Sequence, residues 1–547
     1  MHWEMLVKKW GLATTGLALF VLANVAPVEA MQFDLGEETS LDVDVSLAYA
    51  AGWRLGDQDS YLMNPPQVPP NVDTDALFLP NGDDGNRNFD KDDMMNNRFS
   101  TNVDVDLKHK NVGAFVRARA YYDYAYDGSN ANNSGTFNNN LSGNSFVQDT
   151  QDQHRDKTEI LDAFVYSNFD LGGHNLMLRV GQQVVSWGES LFVPGGISSA
   201  QSPVDATSTV LPGVELRDIF LPVQQVVAQV DLFDNLTLGL FYQWDWEKTR
   251  LPGVGSYFSG ADFLDEGGNY IIAPTLQPPP FPAYVQAFPR SGDIKPSDSG
   301  QWGAALRYLA EGLNDTEFGL YYINYHEKAP NMYMEYDVVP DFVPGIGGMY
   351  SPTGYHLGYA EDVQLYGASF GTVFGDTNVS GEVSYRQDFP IQIKDARSLV
   401  DAAFFVKEVD LVQAQVSAIH LIAGTPVWSS CTLMGEVGYN EISNYGDAIL
   451  SADDSAWGGT IKVIPSYLQI MPGLDLNVPI TYQFNGDSTA SFQGSFDEKN
   501  DSISIGFDFT YLQVYQAGVA YTNFLNDAED NPLADRDFVS VNLKYTF

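Results

Sequence analysis

Residues 41–53 read LDVDVSLAYAAGW. Leu41, Val43, Val45, Leu47, Tyr49, Ala51 and Trp53 alternate with Asp42, Asp44, Ser46 and small residues, so an extended chain here has one apolar and one polar face. A strand in a globular sandwich is typically about five or six residues long. A tilted strand that crosses a bilayer needs about 9–11 and carries aromatics where it meets the interface. The long alternation closing on Trp53 fits the second kind of strand.

The other end of the chain repeats the pattern. Val539, Val541, Leu543, Tyr545 and Phe547 alternate with Ser540, Asn542, Lys544 and Thr546, and Phe547 is the last residue. Tyr545 followed by a terminal Phe547 resembles the C-terminal signal that the assembly machinery of bacterial outer-membrane barrels reads. Between these ends, further alternating runs fall near 99–108, 112–126, 158–169, 174–185, 222–233, 235–247, 300–309, 316–325, 361–371, 377–387, 409–422, 428–440, 455–465, 472–484, 500–510 and 512–524. With the terminal runs this predicts about 18 strands, within two. Connections after odd strands are long and those after even strands short, the signature of a barrel with long outer loops and short periplasmic turns. The expected fold is all-β: a single closed antiparallel transmembrane barrel over 31–547, because closure removes the unpaired edges that hydrocarbon does not tolerate.

Composition agrees. The chain has 547 residues, of which only 18% are charged, against about a quarter in soluble proteins. Mean hydropathy is −0.18, as expected where half of each strand faces lipid and half a polar lumen. Lys8 and Lys9 precede an apolar run from Gly11 to Val25, and Val28-Glu29-Ala30 supplies small residues for cleavage, so 1–30 reads as a secretory signal peptide and the destination as the outer membrane of a Gram-negative bacterium. No cysteine follows Ala30 to carry a lipid anchor, and the lone Cys431 rules out an internal disulfide. A net charge of −43 repels phosphate backbones and excludes nucleic acid as a partner. The acids concentrate in loops such as 54–98, which could hold divalent cations beside outer-membrane lipids and lipopolysaccharide or be plain solvated surface. The stretches 127–145 and 274–289 have loop compositions, rich in Asn, Ser and Gly and in Pro respectively.

Catalytic patterns fail on context. Gly367-Ala368-Ser369-Phe370-Gly371 has the spacing of a nucleophile elbow but ends a strand instead of joining a strand to a helix. Asp84, Asn86 and Asn88 begin like a calcium loop, yet Phe89 stands where glycine is required and Met95 where the bidentate Glu belongs. The seven histidines form no H-x-x-x-H pair. No enzyme activity, metal site or cofactor is expected. The lumen face carries more information. Strand parity points Arg117, Arg119, Arg179, Gln183, Arg307, Glu382, Arg386 and Glu436 inward, since charge facing lipid is very costly. These groups either set up a transverse field across a narrow pore or pair with one another and brace a loop packed in the lumen. Phe115, Tyr121, Phe241, Tyr321, Ile323, Tyr325, Tyr366, Phe370 and Met434 take the inward parity too, and 158–169 is apolar on both faces. A water-filled general porin needs none of these: either loops pack against them or the pathway handles apolar cargo.

The segment 186–221 suggests an inserted constriction. Its glycines 188, 195, 196 and 213 permit tight folding, and Pro203 can start a short helix capped by Ser202. Trp187, Glu189, Asp205, Glu215 and Arg217 would project among the strand charges, with Glu189 and the following loop set against Arg117, Arg119 and Arg179. The strings RVGQQVVSWGES (179–190), SPVDA (202–206), LPGVEL (211–216), FYQWDWEKT (241–249), GSYFS (255–259), EDVQLYGASF (361–370) and SGEVSYR (380–386) together resemble the proteobacterial outer-membrane family known as domain of unknown function thirteen-hundred-and-two, over essentially the whole mature chain. That resemblance implies a barrel without a settled activity. It also implies gene neighbours encoding a periplasmic or lipoprotein partner of lipoprotein-sorting-like fold and an inner-membrane exporter of the resistance-nodulation-division type. The expected function is a conduit for a hydrophobic or lipid-like compound working with such partners. The alternatives are a passive selective porin for small acidic or aromatic solutes and, from another class, an outer-membrane enzyme or a loop-mediated adhesin. A plugged TonB-dependent receptor is disfavoured, because no plug fits before Leu41.

Overall fold

Period-two alternation becomes strand in every run named above. The computed structural model describes residues 31–63, 81–132, 144–209, 211–275, 284–343, 347–394, 405–491 and 496–547; the expected signal peptide lies outside them. The barrel strands begin with β1 (Thr39–Arg54), β2 (Met94–His109), β3 (Val112–Asp123), β4 (Asp156–Asp170), β5 (Asn175–Gln183) and β6 (Val223–Phe233). They continue with β7 (Leu236–Gln243), β8 (Gln301–Ala310), β9 (Thr316–Tyr325), β10 (Val363–Phe374), β11 (Thr377–Lys394) and β12 (Phe405–Ile422). β13 (Ser430–Ser443), β14 (Ser455–Met471), β15 (Leu474–Asn477 and Ile480–Asn485), β16 (Ser502–Tyr511), β17 (Tyr515–Phe524) and β18 (Phe538–Thr546) complete the set of eighteen. Each pairs antiparallel with the next, and β18 returns to β1 from Ser46↔Thr546 to Arg54↔Phe538. A further strand, Met31–Gly36, pairs with the start of β1 on the edge that β18 occupies higher up. Val45 and Phe547 exchange backbone hydrogen bonds (2.7 and 2.9 Å) where those two tracks meet. All the long connections lie at one end of the barrel and all the short ones at the other.

The outer wall has the layering of a membrane-crossing barrel. Leu306, Leu320, Val383, Val416, Val437, Ile461, Ile505 and Val519 stand exposed around its middle. Towards the long-loop end a row of rings follows neighbouring strands: Trp302 to Tyr322 (5.1 Å between centroids), Tyr322 to Tyr366 (5.2 Å) and Tyr366 to Tyr385 (6.3 Å). At the short-turn end Tyr511, Tyr515, Tyr545 and Phe547 form a second row. Aromatic girdles flanking an apolar band are what two lipid–water interfaces select.

Three expectations of orientation need correction. Tyr366 and Phe370 face outward, because on β10 the fully buried Val363 and Leu365 and the buried Ser369 take the lumen side, and the intervening residues, Tyr366 among them, turn to lipid. Tyr124 and Tyr126 do not extend β3: the Asp123 carboxylate accepts the Ala125 N–H (3.0 Å) and caps a 3₁₀ turn that swings Tyr126 into a buried cluster. The two-faced apolarity of 158–169 comes from a bulge on β4. Leu161 and Asp162 both stand opposite Arg117, so Ile160 faces out while Phe164, of the same parity, faces in. The stretch 274–289, expected as loop, contributes to a hairpin of Tyr270–Thr275 with Tyr284–Pro289. That hairpin and a second, Asn331–Val343 with Gly347–Gly358, pack through Ile271, Phe288, Met332, Met334, Tyr355 and Leu357 into a cap at the long-loop end. Of the 127–145 loop, residues 133–143 lie outside the described residues.

Candidate functional site: the lumen and its inserted segment

The chain between β5 and β6 turns into the barrel and crosses it. Trp187 enters first, buried against Phe241 (5.1 Å) and Tyr321 (6.2 Å), with Val185, Ile197, Ala200, Ala305, Ile323 and Leu365 completing an apolar bed. The inward aromatics of β7 and β9 therefore pack a loop. Gly188 (φ +100°) lies where any side chain would collide with the Glu382 carboxylate. From there the backbone is gripped by the far wall. Glu382 on β11 accepts the N–H of Glu189 (2.5 Å) and Ile197 (2.8 Å), and Glu436 on β13 accepts those of Leu191 (3.0 Å), Phe192 and Val193 (2.6 Å). Gln413 donates to the Pro194 carbonyl (2.8 Å), and Arg386 donates to those of Gly195 (2.5 Å) and Gly196 (3.0 Å).

The segment then returns toward β3. A short helix forms at Ala206–Thr209, three residues later than Pro203 suggested: Asp205 accepts the Thr207 and Ser208 hydroxyls, whereas Ser202 donates to the Val185 carbonyl. Asp205 also pairs with Arg119 at 2.9 Å and with Arg250 at 3.6 Å, and Arg119 holds Glu159 at 2.6 Å. Burial alone would raise the Asp205 carboxyl, but Arg119, the Thr207 hydroxyl and Arg250 hold it below its ordinary value. Glu215 pairs with Lys544 and with Arg217 (2.6 Å), which reaches Asp104 at 3.3 Å. Arg117 is matched by Asp104 (2.8 Å) and Asp162 (3.5 Å), the latter supplied by the β4 bulge. Opposite charges thus meet at contact distance and tie the segment to the wall.

Not every expected neighbour meets. Glu189 stands at the far wall, its N–H on Glu382, away from Arg117 and Arg119. Arg179 lies over the Phe164 ring at 5.6 Å, and Arg307 faces Glu317 across its hairpin at 3.9 Å. Gln183 is fully buried and belongs to an amide ladder beneath the segment that sequence reasoning missed. Gln183 and Gln225 donate to each other's backbone carbonyl (3.1 and 2.7 Å), and Gln243 donates to that of Gln201 (2.8 Å). Its signal was present as glutamines at lumen parity in consecutive strands. Ser369 lies mid-strand with its hydroxyl on Tyr321 (3.0 Å), which excludes an elbow geometry.

Above the segment lies a cavity of about 650 Å³, roofed by the cap. Arg386 and Lys328 line it together with Phe263, Met332, Phe389 and Ile391. Lys328 is buried and donates to the carbonyls of Ala200 (2.9 Å) and His326 (3.3 Å); burial pushes its ammonium down to about 8. In the cap, the buried Asp83, Asp84 and Asp262 bring carboxylate oxygens within 4.8 Å of one another, the tightest acidic group among the described residues. Burial raises Asp83 to about 6 against the pull of Arg87, and burial with Asp84 and Asp83 nearby raises Asp262 well above its ordinary value.

The fold is similar to solved outer-membrane proteins at low identity. Acinetobacter baumannii OccAB4 shares 12% identity over 94% of this chain and 100% of its own, with a TM-score of 0.40. Pseudomonas aeruginosa OccK2 (OpdF), solved in complex with glucuronate, shares 9% over 93% and 98%, with a TM-score of 0.37. The outer membrane channel DcaP of Acinetobacter baumannii shares 10% over 95% and 100%, with a TM-score of 0.35. No curated protein matches the chain. The family described as "Protein of unknown function (DUF1302)" matches residues 11–547, nearly the whole length, and the protein belongs to it.

Proposed function

We propose that the protein is an outer-membrane conduit for a hydrophobic or lipid-like compound, moved in concert with a periplasmic lipid-binding partner and a resistance-nodulation-division exporter. The observation that carries this reading is the segment 184–222, which fills the middle of the barrel on an apolar bed of Trp187, Phe241, Tyr321 and Leu365. A segment tied to both walls in a low-dielectric interior obstructs hydrated ions, while apolar surface is available to cargo that has shed its water. The long-loop end then faces outside and the short turns face the periplasmic partner. Reconstituted in planar bilayers, the protein should conduct ions weakly, and deleting residues 190–215 should raise the conductance sharply. A large wild-type conductance unchanged by the deletion would refute the reading and favour an open porin.

A further inference from the structure

At the closing seam the two ends of the chain share one strand track. Thr546 stands opposite Ser46, and Phe547 exchanges backbone hydrogen bonds of 2.7 and 2.9 Å with Val45. The strand Met31–Gly36 lies on the same edge of β1 and begins opposite Val43, followed by Gln32 opposite Asp42 and Phe33 opposite Leu41. Both pieces run antiparallel to β1, so Phe547 points at Met31, and among the described residues only Asp44 lacks a facing residue between them. Two residues of antiparallel strand span about 7 Å, which leaves room for one further residue and no more. A chain continuing upstream of Met31 on this track would set Ala30 opposite Asp44 and Glu29 opposite Val45, where Phe547 already pairs. The uncut chain and the closed seam therefore compete for one place. Val28-Glu29-Ala30, the small-residue stretch suited to a signal peptidase, ends where the collision starts.

We infer that cutting the bond between Ala30 and Met31 completes the barrel: the α-ammonium freed at Met31 pairs with the α-carboxylate of Phe547, and the two chain ends form one continuous strand along β1. The step is hydrolysis by a signal peptidase. The hydroxyl of water goes to the Ala30 carbonyl carbon, and its proton, with that of the new acid, goes to the Met31 nitrogen. One oxygen of the Phe547 carboxyl accepts the Val45 N–H at 2.7 Å, which leaves the other for the ammonium. Asp44, opposite the gap, adds negative charge there. An ion pair so placed bridges the break that a barrel made of one chain must have somewhere in its sheet. The seam closes this way whatever the barrel carries.

The test uses protein extracted from the membranes of cells that express the full 547-residue chain. Its intact mass should equal that of residues 31–547. Brief acetylation near pH 6.5, where α-amines outreact lysines, should label the Met31 amine of the folded barrel about two- to five-fold more slowly than that of the free peptide Met-Gln-Phe-Asp, the protection given by one exposed ion pair. Salt at about 1 M should remove most of that difference. Inserting Gly-Ser between Ala30 and Met31 moves the amine off the track. It should then react at the rate of the peptide, and the folded, heat-modifiable barrel should be lost faster in hot detergent by about the same factor. If the extended chain fails to accumulate, the wild-type labelling and its salt dependence decide alone. A mature chain that starts at another residue or runs past Phe547 overturns the inference. So does a folded wild-type amine as reactive as the peptide, or slow labelling that salt leaves unchanged, which would mean a covered end and no ion pair.

Discussion

His154 ends the short helix Gln148–His154 with its ring stacked on Tyr126 (4.8 Å) and its Nε2 accepting the Gly253 N–H at 3.0 Å. Burial, with Arg98 nearby, lowers its pKa to about 3, so the ring stays neutral in the folded cap. Unfolded, it would take up a proton near pH 6.5, so its contribution to stability is complete above that value and declines as pH falls toward about 3. Between pH 6.5 and 5 the loss is about 2 kcal/mol. Protection factors of the amides across 144–155, taken against the intrinsic exchange rate at each pH, should fall over that interval, and His154→Gln, which keeps an acceptor but does not titrate, should remove most of the change. Asp83, raised to about 6, acts with the opposite sign, gaining stability as pH falls, so the difference between wild type and variant is the informative quantity. The same pH dependence of protection in wild type and His154→Gln would contradict this account. Nothing local distinguishes this histidine in the sequence, because its environment is assembled from Tyr126, Arg98 and Gly253, which lie apart in the chain. Arg119 was legible, since a charged residue within an alternating strand has one tolerable side.

Among the elements, the eighteen strands could be read because lipid on one side and lumen on the other impose a period of two. The bulge at Leu161–Asp162 could not, because a parity slip looks the same as a strand apolar on both faces until its partner is known. The cap hairpins were hidden for a related reason: they bury against each other and face no lipid, so Pro-rich 274–289 showed only its turn chemistry. The entry of 184–222 into the lumen was legible in its glycines and carboxylates, but the assignment of anchors was not, since backbone N–H groups hold the far end. Glu436 accepts three of them with two oxygens. Glu436→Gln leaves one accepting oxygen and turns an NH₂ toward donors, and each orphaned buried N–H costs about 1–3 kcal/mol. The arm 189–197 should loosen, seen as noisier and larger single-channel currents and as faster cleavage near Leu191 by added protease. The heat-modifiable mobility of the folded barrel should not change. Currents identical to wild type would mean that Glu436 is not an anchor.

For the whole molecule, closure depends on a short seam. β18 meets β1 over nine pairs, and Phe547 adds the last two backbone bonds to Val45, its ring against Tyr545 at 5.2 Å. Deleting Phe547 removes both partners of the Val45 N–H and C=O at the short-turn interface, where each lost hydrogen bond costs about 0.5–1.5 kcal/mol, and removes the ring that the assembly machinery is expected to read. The variant should reach the outer membrane at a small fraction of the wild-type level, measured as heat-modifiable protein in the membrane fraction; normal levels would show that this residue is dispensable. The crossing segment has a mechanical consequence as well. It is fastened to β3 through Arg119 and Asp205 and to β11 and β13 through Glu382 and Glu436, on different sides of one closed wall. A hoop with such a tie across its bore resists flattening and dilation together. The wall can be taken as a rigid frame, and whatever passes must do so by slack in the tie, over the few residues between its fastenings, and not by the barrel widening.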